Sequence, residues 1–253
     1  SGEKVKQRFE QNLFSCMRQV PYSTSSNETV DMVLFVNGLP IITLELKNHW
    51  TGQTAIDAQK QYRNRDLNQT LFHFGRCLAH FALDTEEAYM TTKLAGSATF
   101  FLPFNLGNNC GKGNPPNPNG HRTAYLWQEV FSKASLANII QHFMRLDCST
   151  KDPLDKRTLF FPRYHQLEVV RRLIADVSEQ GVGKRYLIQH SAGSGKSNSI
   201  TWLAYQLIEA YPRNEKAANG READRPIFDS VIVVTDRRLL DKQLRDNIKD
   251  FSE

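Results

Sequence analysis

Two carboxylates and one ammonium group, from Asp31, Glu45 and Lys47, lie near the ends of the stretch DMVLFVNGLPIITLELK. Asn37-Gly38, between two apolar runs, predicts a β-hairpin that brings these ends together. Carboxylate oxygens that converge on one point can hold Mg²⁺, which polarises a phosphoryl group and lowers the pKa of an attacking water. Lys47 can then orient or help to deprotonate that water, or offset charge on the phosphate. These residue types favour metal-dependent phosphodiester cleavage.

The register of the hairpin decides whether the three groups meet. Side chains alternate between the two faces of a strand, so Glu45 and Lys47 project from one face. A plain two-residue turn would pair Asp31 with Leu44 and place Asp31 on the other face. A one-residue bulge returns Asp31 to the face of Glu45. Pro40, which has no N–H for the ladder, is the predicted place for it.

A second group of residues forms a glycine-rich turn, made of Gly193, Ser194, Gly195, Lys196 and Ser197. An apolar run precedes it and a helical pattern follows, which is the setting of a phosphate-binding loop. Backbone N–H groups and the helix N-terminus can cradle phosphate. Lys196 would pair with the β- and γ-phosphates of ATP, and the Ser197 hydroxyl would ligate Mg²⁺. The full pattern has glycine five residues before Gly195, where this chain has His190.

The elements around the hairpin follow from the hydrophobic periodicity of the first 146 residues. Residues 3–20 have apolar side chains at helical spacing and predict an amphipathic helix. A polar helix is predicted over 54–65, and strands over 71–76, 78–83 and 89–93. With the hairpin they make a mixed sheet of about five strands with a helix on at least one face. Residues 103–123, rich in Gly, Asn and Pro, predict a long loop, and two helical segments follow over 124–146.

The pattern changes after residues 147–162, a polar stretch with two prolines that predicts a domain boundary. We therefore expect domains at 1–146 and 163–253 with 147–162 as linker. Strand and helix alternate in the second part with a long crossover, which is typical of a parallel sheet. The predicted elements are helices at 163–179, 198–210 and from Leu239, and buried strands at 186–189 and 231–234.

Composition limits the possible classes of protein. The chain has 253 residues, 40% hydrophobic and 23% charged, which is ordinary for a globular protein of one large or two modest domains. A net charge of +5 without a polycationic tail permits a nucleic-acid partner but does not require one. Four scattered cysteines without a Cys-x-x-Cys pair, no signal peptide and no bilayer-length apolar run predict a cytoplasmic protein with reduced thiols and no membrane partner.

Several motifs occur together in a characteristic order. They are the hairpin Asp…Glu-Leu-Lys, PFNLGNNCGKGNP, YLW at 125–127, RYHQ at 163–166, GSGKS and VIVVTDRRLLDKQL. In this order they resemble the restriction (motor, R) subunit of type I restriction–modification enzymes, over essentially the whole chain. The resemblance implies an α/β fold: a PD-(D/E)xK nuclease-like mixed sheet with flanking helices, followed by the start of a RecA-like superfamily 2 helicase domain.

The resemblance also implies roles for individual residues. Asp31, Glu45 and Lys47 match the PD-(D/E)xK triad, although Val30 stands where the family pattern has proline. On the polar helix, Gln59 matches the first member of a catalytic Gln-x-x-x-Tyr element, and Tyr62 comes one residue early for the second.

Two further motifs of the helicase part have matches. Gln166 matches the adenine-reading glutamine of superfamily 2 helicases. Thr235, Asp236 and Arg237 match the motif that touches the DNA backbone.

The implied activity is that of a type I site-specific deoxyribonuclease: ATP-driven translocation of double-stranded DNA coupled to Mg²⁺-dependent cleavage. The implied cofactors are Mg²⁺ and ATP, and the implied partners are methylation (modification) and specificity subunits. The chain has no Asp-Glu-x-His or Asp-Glu-x-Asp strand for the catalytic Mg²⁺. We therefore expect an N-terminal fragment that holds the cleavage site and part of the nucleotide site, and that binds ATP weakly without turnover.

Two other interpretations stay open on the sequence. In the first, the nuclease fold is catalytically inactive and serves as a DNA-docking module of a helicase, with Glu45 and Lys47 only a surface pair. In the second, the chain is a P-loop ATPase of another kind, which leaves the first 150 residues without a function.

Overall fold

The computed structural model describes residues 2–146, 152–220, 222 and 224–235. It divides into two compact units, Ser1–Asn138 with Ser149–Phe161 and Ile139–Cys148 with Pro162–Glu253. The helices that it describes are all too short or too polar to cross a membrane. Its three described cysteines are free thiols, in agreement with the prediction: Cys16, Cys77 and Cys110.

A six-stranded sheet forms the centre of the first unit. Its strands are β1 Phe14–Pro21, β2 Thr29–Val36, β3 Leu39–Leu46, β4 Ala79–Leu83, β5 Ala88–Thr91 and β6 Leu102–Pro103. They lie side by side in chain order. β3 and β4 run parallel, and the other neighbours are antiparallel. The parallel pair needs a long crossover, and helix α2, Ala55–Arg63, lies in it. The predicted mixed sheet is confirmed, with one strand more than expected.

Helices and short segments complete the described chain. The helices are α1 Gly2–Gln11, α2 Ala55–Arg63, α3 Lys133–His142, α4 Tyr164–Gln180, α5 Lys196–Ile208 and α6 Glu215–Ala218. Short 3₁₀ turns lie at His49–Thr51, Thr70–Phe72 and Leu154–Lys156, a π-helical turn at Leu126–Val130, and two-residue strands β7 and β8 at Arg145–Leu146 and Leu159–Phe160.

The hairpin β2–β3 has the predicted bulge. Leu34 pairs with Ile42 whereas Phe35 pairs with Pro40, so Ile41 is the extra residue. The bulge lies directly beside Pro40, as the missing N–H of proline predicts. The register therefore continues from Met32 opposite Leu44 toward the carboxylate-bearing ends of the two strands.

Both faces of the sheet are covered in the first unit. Helix α2 packs on the face of Val33 and Ala82, where Ala58 and Tyr62 are fully buried. On the opposite face, Phe81 makes edge contacts with aromatic rings of Phe104, Phe131 and Phe161. This two-sided burial holds β3, which carries Glu45 of the candidate site, and its neighbour β4 in the middle of the core.

Two predictions for the first unit are wrong. The helix predicted over 3–20 ends at Gln11, and residues 14–21 form β1. Asn37 in the hairpin turn fixes this change of direction, because Leu13 N donates to Asn37 Oδ1 and Asn37 N donates to Leu13 O, both at 2.8 Å. Antiparallel pairing with β2 then provides hydrogen-bond partners for the backbone N–H and C=O groups of residues 14–21. The strand predicted over 71–76 is a 3₁₀ turn followed by a loop, with Cys77 buried at its end.

The second unit confirms two of the three predicted helices and contradicts the predicted strands. α4 and α5 begin and end within two residues of expectation. Residues 186–189 and 231–234 form no strand, and the side chains of Leu187, Ile232 and Val234 are 95%, 84% and 87% exposed. A parallel strand needs a neighbouring backbone, and these segments form no ladder among the described residues. The predicted helix from Leu239 lies outside the described residues, as do Asp236 and Arg237 of the DNA-backbone motif.

Candidate active site

The carboxylates of Asp31 and Glu45 meet at the end of the hairpin. The bulged register places Asp31 on β2 next to Glu45 on β3, as predicted. Asp31 Oδ2 accepts a hydrogen bond from Leu46 N at 2.8 Å, which fixes the aspartate beside the last residues of β3. Proximity to Asp31 also raises the pKa of Glu45. The two acidic groups are therefore neighbours in the folded protein.

Gln19 on β1 holds the other oxygen of Asp31. Its Nε2 donates to Asp31 Oδ1 at 3.2 Å, and its Oε1 accepts from Thr29 Oγ1 at 2.7 Å. The backbone of Gln19 has φ +51°, which is uncommon for a residue other than glycine. Sequence reasoning missed Gln19, because the segment was predicted as helix and nothing local marks the residue.

Glu45 is fully buried and paired with Arg65. Arg65 Nη2 and Nε donate to Glu45 Oε1 at 2.6 and 3.2 Å, and both side chains are almost inaccessible to solvent. Arg65 lies two residues beyond the end of α2 and was not predicted to belong to the site. Arg65 is the last residue of the polar helix predicted over 54–65, and no local pattern indicates a contact between residues 20 positions apart.

Burial dominates the electrostatics of Glu45. Loss of hydration raises its pKa to about 7, the Arg65 guanidinium opposes this, and the Asp31 carboxylate adds to it. Glu45 Oε2 is buried and accepts no hydrogen bond from any described residue. A buried carboxylate oxygen without a donor is costly, and a divalent cation would satisfy it.

These two carboxylates fit Mg²⁺, which commonly takes one or two carboxylates and fills its other positions with water and phosphate. Within the described ranges, no group of three or more His, Cys, Asp or Glu side chains could hold a metal ion. Asp31 and Glu45 are thus the residues that would hold the ion, and Glu45 Oε2 is the observation that supports it.

Lys47 follows β3 directly. Its N–H donates to Leu83 O at 2.9 Å, which continues the parallel pairing with β4. In the part of the chain that the structure describes, its ammonium group has no hydrogen-bond or ion-pair partner. The partner of Glu45 is Arg65, so Glu45 and Lys47 are not a surface pair. No described residue therefore holds the Lys47 ammonium group away from the two carboxylates.

Gln59 and Tyr62 on α2 do not join the carboxylates. Gln59 Oε1 lies 3.4 Å from Arg63 Nη2. Tyr62 is fully buried, and its hydroxyl lies 2.8 Å from Thr43 Oγ1, which in turn lies 2.7 Å from His80 Nδ1. Burial raises the pKa of Tyr62 well above its usual value. The hydroxyl of Tyr62 thus binds Thr43, two residues before Glu45 on β3, and the negative charge of Glu45 raises the pKa of Tyr62 further.

The glycine-rich turn precedes α5 and bends sharply. Gly193 and Gly195 have φ values of +71° and +78°. Lys196 begins α5, and its ammonium donates to two carbonyl oxygens of the same loop, His190 O at 3.2 Å and Ser191 O at 2.8 Å. The ammonium group of Lys196, predicted to bind phosphate, thus lies over the loop. Helix α5 follows the loop as predicted.

Gln166 near the start of α4 binds this loop. It is 3% exposed, and its Nε2 donates to Ser194 O at 3.1 Å and to Gly195 O at 3.0 Å. Its Oε1 accepts from Arg163 N at 2.8 Å. His165 Nε2 also lies 2.9 Å from Ser194 O. The amide predicted to read adenine is therefore bound to protein backbone at both of its ends.

Comparison with known proteins gives matches along most of the chain. Residues 2–99 match the family described as "Type I restriction enzyme R protein N terminus". Residues 159–253 match the family described as "Type III restriction enzyme, res subunit". The "Putative type I restriction enzyme MjaVIIIP endonuclease subunit" of Methanocaldococcus jannaschii is 22% identical over 94% of this chain and 21% of its own length. The "Type I restriction enzyme HindI endonuclease subunit" of Haemophilus influenzae is 28% identical over 85% of this chain and 19% of its own length.

The matches relate the chain to restriction enzyme subunits, and the structure has a mixed α/β unit followed by a unit with a glycine-rich turn before a helix. Within that class, the chain belongs with the R subunits of type I restriction enzymes and matches their N-terminal part. It spans about a fifth of the length of these two curated relatives.

Proposed function

We propose that this chain carries the cleavage site and the first part of the nucleotide site of an ATP-dependent DNA endonuclease and translocase subunit. The observation that carries the proposal is the convergence of Asp31 and Glu45, with a buried Glu45 oxygen that accepts no hydrogen bond from the described residues. In this proposal the six-stranded sheet is a PD-(D/E)xK-type nuclease domain within residues 1–146. Residues 147–162 are a linker, and 163–253 begin a RecA-like helicase domain.

Each residue of the cleavage site has a separate task. Asp31 and Glu45 hold Mg²⁺, which when bound polarises the scissile phosphodiester and lowers the pKa of the attacking water. Gln19 and Leu46 N orient Asp31. Arg65 keeps Glu45 in place inside the core. Lys47, whose ammonium has no partner among the described residues, orients the water or offsets charge on the phosphate.

The second unit binds ATP with Mg²⁺. Backbone N–H groups of Gly193 to Lys196 cradle phosphate, Lys196 moves from the loop carbonyls to the phosphates, and Ser197 is the Mg²⁺ ligand. The proposed substrate is double-stranded DNA. The relatives are named as endonuclease subunits of type I restriction enzymes. The resemblance to that family implies that methylation and specificity subunits of the same complex supply sequence recognition.

Cleavage of plasmid DNA tests the proposal. The full-length subunit is assembled with its partner subunits, Mg²⁺ and ATP, and Lys47→Ala and Lys196→Ala are compared with wild type. We expect Lys47→Ala to abolish cleavage and spare ATP hydrolysis, and Lys196→Ala to abolish both. Lys60→Ala, on the exposed side of α2, is the matched control and leaves both activities unchanged. Normal cleavage by Lys47→Ala would make the hairpin a scaffold and favour the inactive DNA-docking module.

A further inference from the structure

Four of the five N–H groups of the Arg65 guanidinium donate hydrogen bonds inside the first unit. Its Nη2 and Nε donate to the same oxygen, Glu45 Oε1. Nη2 also donates to Thr29 O at 2.7 Å, and Nη1 donates to Tyr22 Oη at 2.8 Å. The guanidinium also lies over the ring of Tyr22, 5.0 Å from its centroid. These contacts fix the position of the cation against the ends of β2 and β3.

The two oxygens of Glu45 are therefore not equivalent. Oε1 accepts two charge-assisted hydrogen bonds, and Oε2 accepts none from the described residues. Turning the carboxylate so that both oxygens face one ion would break both bonds to a buried cation, which is strongly unfavourable. Glu45 thus offers one oxygen, Oε2, to a metal ion.

We propose that Arg65 sets the metal preference of the cleavage site, an inference that rests on the proposed nuclease function. Ca²⁺ takes six to eight oxygens and often binds both oxygens of a carboxylate, whereas Mg²⁺ keeps several waters and binds one or two carboxylates. A glutamate with one oxygen bound to arginine can bind Mg²⁺ through its other oxygen. It cannot bind Ca²⁺ through both oxygens at once. Arg65 is a positioning residue that makes the site select the smaller ion.

Metal affinity, measured without DNA or nucleotide, tests this role. Calorimetry on the full-length protein gives the Mg²⁺ and Ca²⁺ affinities of wild type, Arg65→Met and Arg65→Lys. Changes in residues that support metal ligands shift affinity by about 10- to 100-fold. We expect Arg65→Met to raise the Ca²⁺-to-Mg²⁺ affinity ratio by about tenfold and Arg65→Lys to raise it less. An equal loss for both ions, or no change, would show that Arg65 only supports the fold.

A measurement on the wild-type protein covers the case in which Arg65→Met does not fold. Difference infrared spectra of the ¹³C-glutamate-labelled protein distinguish one-oxygen from two-oxygen binding of a carboxylate, and Glu45→Gln identifies the Glu45 band. We expect one-oxygen binding with both ions. A two-oxygen band with Ca²⁺ would overturn the role of Arg65.

Glu45→Gln separates this inference from the proposed function. If Glu45→Gln abolishes Mg²⁺ binding, the cleavage site stands and only the role of Arg65 is under test. If wild type and Glu45→Gln bind Mg²⁺ equally, the cleavage site itself is wrong and the inference fails with it.

Discussion

Gly195 and Gln166 fit together because Gly195 has no side chain. A Cβ at residue 195 would lie 2.3 Å from Gln166 Nε2, and the backbone φ of +78° is strained for any other residue. We expect Gly195→Ala to displace Gln166 and to abolish binding of a fluorescent ATP analogue. The matched control is Gly193→Ala, where φ is +71° and the space is open. We expect Gly193→Ala to cost only the backbone strain of about 1–2 kcal/mol, because its side chain meets no other atom. An equal loss of ATP-analogue binding in the two variants would argue against a role for the close approach of residue 195 to Gln166.

Lys47 and Glu45 differ in what each contributes to the fold. Glu45→Ala leaves the buried Arg65 without its anion, so we expect a loss of about 3–5 kcal/mol in the free energy of unfolding. Lys47→Ala removes an ammonium group without a described partner and should change stability by no more than about 0.5 kcal/mol. Both substitutions should abolish cleavage. Urea denaturation followed by circular dichroism measures the difference, and a large destabilisation by Lys47→Ala would contradict it.

At the scale of elements, a buried polar cluster joins α2 to the sheet through Tyr62, Thr43 and His80. Burial lowers the pKa of His80 to about 3 from its usual 6.5. Between these values the unfolded chain binds a proton that the folded protein excludes. This contribution to stability is therefore complete above pH 6.5 and is lost as the pH falls.

We expect the first unit to lose about 2 kcal/mol of stability between pH 6.5 and pH 5 through His80 alone. His80→Gln, which cannot titrate, should lack this part of the pH dependence. His121→Gln, at an exposed position, should keep it. Urea midpoints of the three proteins at pH 5 and pH 7 measure the difference. An unchanged pH dependence in His80→Gln would show that another group causes it.

The loop after β6 is ordered by Asn114, which is 2% exposed. Its Oδ1 accepts from Leu106 N at 2.8 Å, and its Nδ2 donates to Glu86 O at 2.8 Å and Asn105 Oδ1 at 2.9 Å. Asn114→Ala leaves buried partners unpaired, at about 1–3 kcal/mol for each group. We expect faster tryptic cleavage within residues 105–122. Asn119→Ala, at an exposed position of the same loop, should be cut as slowly as wild type.

The sequence predicted the structures that are determined by residues close together in the chain. Asn37-Gly38 and Pro40 specify the hairpin and its bulge, because turn geometry and a missing N–H act within a few residues. Gln19 and Arg65 could not be predicted, because their partners lie 12 and 20 residues away. The exposed run around Leu187 shows the same limit, since periodicity alone does not supply a neighbouring strand.

At the scale of the molecule, each candidate site is built within one compact unit. Asp31, Glu45 and Arg65 belong to the first unit, and Gln166 and Lys196 to the second. Each unit also has its own buried cluster, around Tyr62 in the first and around Val177 in the second. The two sites are therefore expected to bind their ligands through separate sets of residues.

Amide hydrogen exchange on the full-length protein tests this division. A ligand at 100 times its dissociation constant stabilises the state that binds it by about 2.7 kcal/mol. We expect a non-hydrolysable ATP analogue to slow exchange at the start of α5 and in α4, where Lys196 and Gln166 lie. Mn²⁺ without nucleotide should slow exchange at the ends of β2 and β3. Lys196→Ala should remove only the first effect and Glu45→Gln only the second. Protection of β3 by the nucleotide that disappears in Glu45→Gln would place both ligands at one site and contradict the proposed division of labour.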